Sequence, residues 1–237
     1  MPPSFVAPPP RAAGTRSLGQ VVLRRPGVRR GLALASLALS LSALVLFGYP
    51  VGTDAYSSVR QRDLRQEFET PALRKAYVRR AVDVGDGLTR LRIPVIGLEV
   101  LVVEGVTEAA LRAGAGHYPG TPLPGERGNV GVAGHRVTYG RPFHRLDEVR
   151  PGDLVELETP FAVHTYRVPV EVDGHPNPWV VAPTDVGVVA QDVPGSVLTL
   201  TTCHPKGSAR ERLVLRAELI ASARRSGAQP AAAGAYR

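Results

Sequence analysis

Nineteen consecutive uncharged residues, Gly31 to Tyr49 ("GLALASLALSLSALVLFGY"), constrain this chain more than any other stretch. As a helix rising 1.5 Å per residue they cover about 28 Å, close to the hydrocarbon thickness of a bilayer. The segment is apolar on every side, which argues against a helix lying on a soluble core. "RRPGVRR" stands just before it. Arginines on that flank should hold the N-terminus in the cytoplasm and send the rest outside. A cleaved signal peptide is the competing reading. The length of the run and "FGYPVG", a poor small-x-small cleavage site, favour a retained anchor.

The net charge of +8 raises the question of nucleic acid. Its distribution answers it. Six arginines and no acid fall in residues 1–30, which leaves a balance of only two for the remainder. No basic stripe with interleaved aromatics is present, so a nucleic-acid partner is not expected. Residues 1–30 read as a Pro/Arg-rich cytoplasmic tail and 31–50 as the transmembrane anchor. Residues 51–87 read as a charged, helical stalk or linker that Pro71 breaks in two, with a helix packed on the domain as the alternative. Residues 88–221 read as the folded domain and 222–237 as a flexible tail.

From Leu88 the pattern turns to period two. Eight runs, at 88–95, 99–105, 128–135, 153–159, 162–172, 177–183, 196–203 and 212–220, are β-branched and separated by Gly, Pro and Asp turns. So many short strands in so few residues predict an all-β, closed or nearly closed barrel. "TEAALRAG" (107–114) reads as a short helix ended by Gly114, and "PFHRLDEV" (142–149) as a helical turn.

The chain has one cysteine, Cys203, in "TLTTC" at a strand end. A lone thiol cannot staple its own fold, so it is either an idle buried group or a working one. His135, in "AGHR", ends another strand, and Arg212 opens the last. A thiol becomes a nucleophile when a base or cation makes it a thiolate. A histidine can do this and later protonate a leaving amine. An arginine can stabilise the oxyanion of an attacked carbonyl. The three residue types make a complete acyl-transfer set, although spacing alone does not bring them together.

The motifs "GHYPGTPLPGERGNVGVAGHRVTYGRPFHRLD" and "LTLTTCHPKGSARERLV" resemble those of the sortases, and most of all those of the class E sortases of actinobacteria. The resemblance covers about Leu88 to Ile220. It implies an eight-stranded sortase-type barrel carrying a cysteine transpeptidase. In that reading Cys203 attacks a Thr–Gly bond in a C-terminal sorting signal, Leu-Ala-x-Thr-Gly or Leu-Pro-x-Thr-Gly, of a secreted protein. A peptidoglycan cross-bridge or lipid II amine resolves the thioacyl enzyme. His135 is the acid/base and Arg212 the oxyanion stabiliser. The resemblance also assigns Tyr118, in "HYPGT", to reading the Ala position. Thr201 and Thr202 are candidates for substrate hydrogen bonds or plain strand formers. The domain is expected outside the cell on a single-pass anchor.

Other readings stay open. One is a membrane-tethered β-barrel binding module without chemistry; another is a pilin-polymerising sortase, which would usually show an occluding lid and often a second span, neither of which the sequence suggests. A cysteine transpeptidase of the cross-linking type would carry Ser-His-Gly-Cys, which is not in the sequence. No cofactor and no metal are expected, because Glu99, Glu104, Glu108, Asp147 and Glu148 are scattered and no His/Cys pair has zinc spacing. His117 reads as supporting or structural, His144 as packing, His164 and His175 as surface. His204 alternates away from Cys203 and reads as wall.

Overall fold

The computed structural model describes residues 26–225. The tail expected over 1–30 therefore lies mostly outside the described residues, as does most of 222–237. The chain divides into two compact units, residues 1–49 and 50–237. In the first, the described residues belong to helix α1 (Pro26–Phe68), whose apolar part is fully exposed and is long and apolar enough to cross a membrane.

The second unit begins with the remainder of α1, followed by α2 (Pro71–Val78). The break falls at the expected place: Thr70 caps α2 by accepting from the Leu73 amide, and Pro71 occupies the first turn, where its missing N–H is not needed. The strands β1 (Gly87–Ile93) and β2 (Leu98–Glu104) precede helix α3 (Glu108–Ala113), capped by Thr107. Then come β3 (Ala115–His117), β4 (Gly128–Ala133), β5 (Leu154–Glu158), β6 (Ala162–Arg167), β7 (Glu171–Val172) and β8 (His175–Pro176). The last are β9 (Trp179–Val181), β10 (Ser196–His204) and β11 (Glu211–Arg224).

The order β10-β4-β3-β2-β1-β5-β6-β11 closes on itself through a β10–β11 pairing, giving an eight-stranded barrel with β9 added outside β11. The alternation of each strand fills its lumen: Leu91, Ile93, Val102, Val132, Leu157, Leu200 and Leu215 are fully buried there. The outward residues of β2 are apolar too. Leu101 and Val103 pack under Leu64 and Phe68 of α1, Leu73 of α2 and Ala110 and Ala113 of α3.

That second cluster changes the reading of 51–87. The segment expected as a stalk packs on the barrel through its helical part. The signal was present in "EVLVVEG", where four apolar residues in a row demand cover on both faces of one strand. Gln61 completes the joint. Its Oε1 accepts from the Leu101 amide (2.8 Å), and its Nε2 donates to the carbonyls of Leu101 (3.0 Å) and Ala113 (2.9 Å). Gln61→Leu should cost about 1–3 kcal/mol, because two backbone carbonyls and an amide then lose their partners. Urea unfolding of the full chain in detergent, followed by the fluorescence of Trp179, measures it.

Several boundaries differ from expectation: the run 128–135 ends as strand at Ala133, before His135, and the run 177–183 is strand only over Trp179–Val181. β3 was not foreseen; three residues including a glycine show no periodicity. The run 162–172 stops at Arg167, and Asp173 and Gly174, both at positive φ, turn β7 into β8. β11 continues to Arg224, pairing Ser222–Arg224 with β6, so the first three residues of the expected flexible tail are strand.

Candidate active site

The β10–β11 ladder sets Cys203 directly opposite Arg212. Directly opposed residues of an antiparallel pair lie about 4.5–5.5 Å apart at Cα and point to the same face. That face is the outside of the barrel, since Leu200 and Leu213 point inward. On the other side β10 runs parallel to β4, with Thr201 beside Ala133. His135 is two residues further on, so continuing the register brings it level with Cys203. Two hydrogen bonds hold this end: the Gly134 amide donates to the Thr201 carbonyl (3.1 Å), and the Thr202 hydroxyl donates to the Gly134 carbonyl (2.7 Å). Gly134 has no room for a side chain, because a Cβ would come within 2.7 Å of the Phe143 ring. The ladder thus sets the Cys203 and Arg212 side chains on one outer face, with the end of β4 that leads to His135 beside the same strand.

Cys203 is half-buried, so its sulfur is neither lost in the core nor fully exposed. Burial holds the His135 imidazole below the ordinary histidine value; the Arg112 cation adds to this and Glu108 opposes it. The ring is therefore neutral near pH 7 and able to take a proton. Its Nε2 is buried without a hydrogen-bond partner. The Arg212 Nη1 donates to the carbonyls of Ala209 and Glu211, both at 3.0 Å. A guanidinium has five N–H donors, so Nε and Nη2 are left to meet a developing oxyanion.

The remaining expected residues separate. Tyr118 lies over Gly131 of β4, and its hydroxyl shares a 2.9 Å hydrogen bond with Thr201 Oγ1. Thr201 faces outward two residues before Cys203, so this pair lies on the same face of β10 as the sulfur. Thr202 faces the other way; it is buried and its hydroxyl is spent on Gly134. It holds the end of β4 rather than presenting a donor beside the sulfur. His117 is buried behind Tyr118, with Nδ1 2.8 Å from Glu104 and Nε2 2.9 Å from the Thr121 hydroxyl. His144 packs as expected, its Nδ1 on the Arg136 carbonyl at 2.9 Å.

Sequence reasoning passed over Arg136, next to His135. It is 2% exposed and lies beneath the site. Its Nε donates to the His144 carbonyl (3.1 Å), its Nη1 reaches the Cys203 carbonyl (3.5 Å), and its Nη2 pairs with Asp147 (3.0 Å). Partial burial raises the Asp147 carboxyl, but Arg136, its own amide and Lys206 together hold it below the usual carboxylate value. Arg216 was missed as well: it joins Thr199 of β10 to Asp173 and to the Val188 carbonyl.

The chain is similar to known proteins. A family model described as a sortase domain matches residues 91–220.

The chain belongs to the sortase family.

Class E sortases are among its relatives. It is 30% identical over 157 residues to sortase SrtE1 of Streptomyces coelicolor, covering 62% of this chain and 44% of that one. The alignments span 44% to 64% of the length of the curated sortases it matches. Among solved structures, sortase E from Streptomyces avermitilis superposes with a TM-score of 0.54 at 34% identity, over 63% of this chain and 97% of that one. A structure of sortase E1 from Streptomyces coelicolor with a tripeptide in its active site gives 0.54 at 29% identity, over 62% and 96%.

Proposed function

We propose that this sortase is a membrane-anchored cysteine transpeptidase with Cys203 as nucleophile, His135 as acid/base and Arg212 as oxyanion stabiliser. The observation that supports the reading is the ladder that sets Cys203 opposite Arg212 on the outer face, with the end of β4, two residues before His135, beside Thr201 of the same strand. The Cys203 thiolate attacks the Thr carbonyl carbon of a Thr–Gly bond, and the oxyanion that forms is met by Arg212. As the C–N bond breaks, His135 hands its proton to the Gly amine, leaving a thioester between Thr and Cys203. An incoming cell-wall amine attacks that thioester, gives its proton to His135 and expels the thiolate.

Tyr118 and Thr201, on the sulfur's face of β10, are proposed to read the residues before the Thr, with a Leu-Ala-x-Thr-Gly signal preferred over Leu-Pro-x-Thr-Gly. The partners are then secreted proteins carrying such a signal and a cross-bridge or lipid II amine. The exposed apolar part of α1 and its basic flank support a single-pass anchor with the N-terminus in the cytoplasm and the barrel outside.

Mass spectrometry of the full chain in detergent, mixed with a panel of sorting peptides, tests this. The expected result is a covalent adduct on Cys203 with Leu-Ala-x-Thr-Gly that disappears when an amine is added and yields the joined product. A panel that leaves the protein mass unchanged, with every peptide intact, overturns it.

A further inference from the structure

Among the described residues no carboxylate is hydrogen-bonded to His135; an aromatic ring lies against it. The Tyr139 ring sits 5.2 Å from the imidazole, centre to centre, tilted by 36°. Tyr139 is in turn enclosed. The Arg112 guanidinium of α3 lies 5.7 Å over its ring, and Tyr56 of α1 meets it edge-on at 6.4 Å. Its backbone occupies the left-handed region (φ 52°), as do Gly140 (φ 76°) and Arg141 (φ 49°). Two non-glycine residues in that region need support from outside the loop. Asp54 of α1 supplies it: Oδ1 accepts from the Gly140 amide (2.9 Å), and Oδ2 pairs with Arg141 (3.3 Å). Ser57 packs against Gly140, where a Cβ would meet its hydroxyl at 2.8 Å.

We propose that Tyr139 is a positioning residue for the His135 imidazole, and that Asp54 and Tyr56 of the helix preceding the barrel hold it in place. The proposal rests on the transpeptidase reading for its consequence in activity, not for the contact itself. A tilted ring packed against the imidazole restrains its plane without occupying a ring nitrogen. This suits a group that must accept a proton and then give it up, and it agrees with the unpartnered Nε2. The charged and titratable groups around the imidazole are Arg112 and Glu108 from α3 and Tyr139 from its own loop; Asp54 and Tyr56 of α1 reach it only through the loop. Burial is the largest cause of the depressed imidazole, so taking away the ring that covers it should let water in and raise it.

The test is a pH titration of the His135 ring signals by NMR in the histidine-labelled full chain in detergent, beside peptide-cleavage kinetics. In Tyr139→Ala the His135 titration should move upward, towards the ordinary histidine range, and kcat should fall ~10-fold with KM little changed. Tyr139→Phe keeps the ring and should leave both in place. Asp54→Ala should shift the titration in the same direction as Tyr139→Ala. An unmoved His135 titration in Tyr139→Ala overturns the proposal, as does a Tyr139→Phe protein that behaves like Tyr139→Ala. If the wild-type chain cleaves no peptide while the titration moves as expected, the clamp stands and the transpeptidase assignment falls.

Discussion

Cys203→Ala should leave a folded barrel that forms no covalent adduct and joins no peptide to an amine. The loss should be complete within detection, because the chain has a single thiol and no second one to take over. The fold should tolerate the change. Cys203 is half-buried at the end of β10, and its ladder partners are set by backbone bonds rather than by its side chain. An alanine methyl therefore removes the reacting atom and little else. The measurement is the rate of Thr–Gly cleavage by chromatography, with circular dichroism to check the fold. Turnover of peptide by Cys203→Ala at the wild-type rate would sink the assignment of the nucleophile. Cys203→Ser is a stricter control; it retains an attacking oxygen, but His135 as placed must then activate a much weaker acid, so activity should stay near background.

Arg212→Ala should lower kcat by about 10²–10³, the scale seen when one oxyanion donor is removed. The effect should fall on kcat more than on KM, since the negative charge exists only in the tetrahedral species. Stability should change little. The Arg212 side chain bonds only to the carbonyls of Ala209 and Glu211, at the exposed turn before β11, and water can replace it there. Arg212→Lys should recover part of the loss, because an ammonium restores the charge but not the fixed planar fork. A variant Arg212→Ala with unchanged kcat would remove Arg212 from the chemistry and direct attention to backbone amides near Cys203.

The residues that bear chemistry stand out in sequence because nucleophile, base and cation are rare types at strand ends, and period two marks those ends. What alternation does not carry is partnership. Nothing in "TLTTCH" tells that Cys203 faces Arg212 across one ladder while β4 lies on the other side. Thr201 and Thr202 look alike in the motif, yet the pleat sends one to the outer face and the other to the Gly134 carbonyl. The packing of α1 and α2 was hidden for a different reason. Its apolar residues, Leu64, Phe68 and Leu73, are few and set among charges, so the helix reads as solvated until the bare outer face of β2 is seen. Arg136 was overlooked because a fully buried arginine is an exception to composition rules, and only its ring of acceptors and Asp147 accounts for it.

The strand carrying the sulfur is also the one that shuts the ring, zipped to β4 from far back in the chain and to its immediate successor β11. Such a long loop must be drawn in before that seam can form, a slow and entropically expensive step. Sulfur and guanidinium therefore face each other only where β10 has paired with β11, and the end of β4 joins them only through the β4–β10 seam.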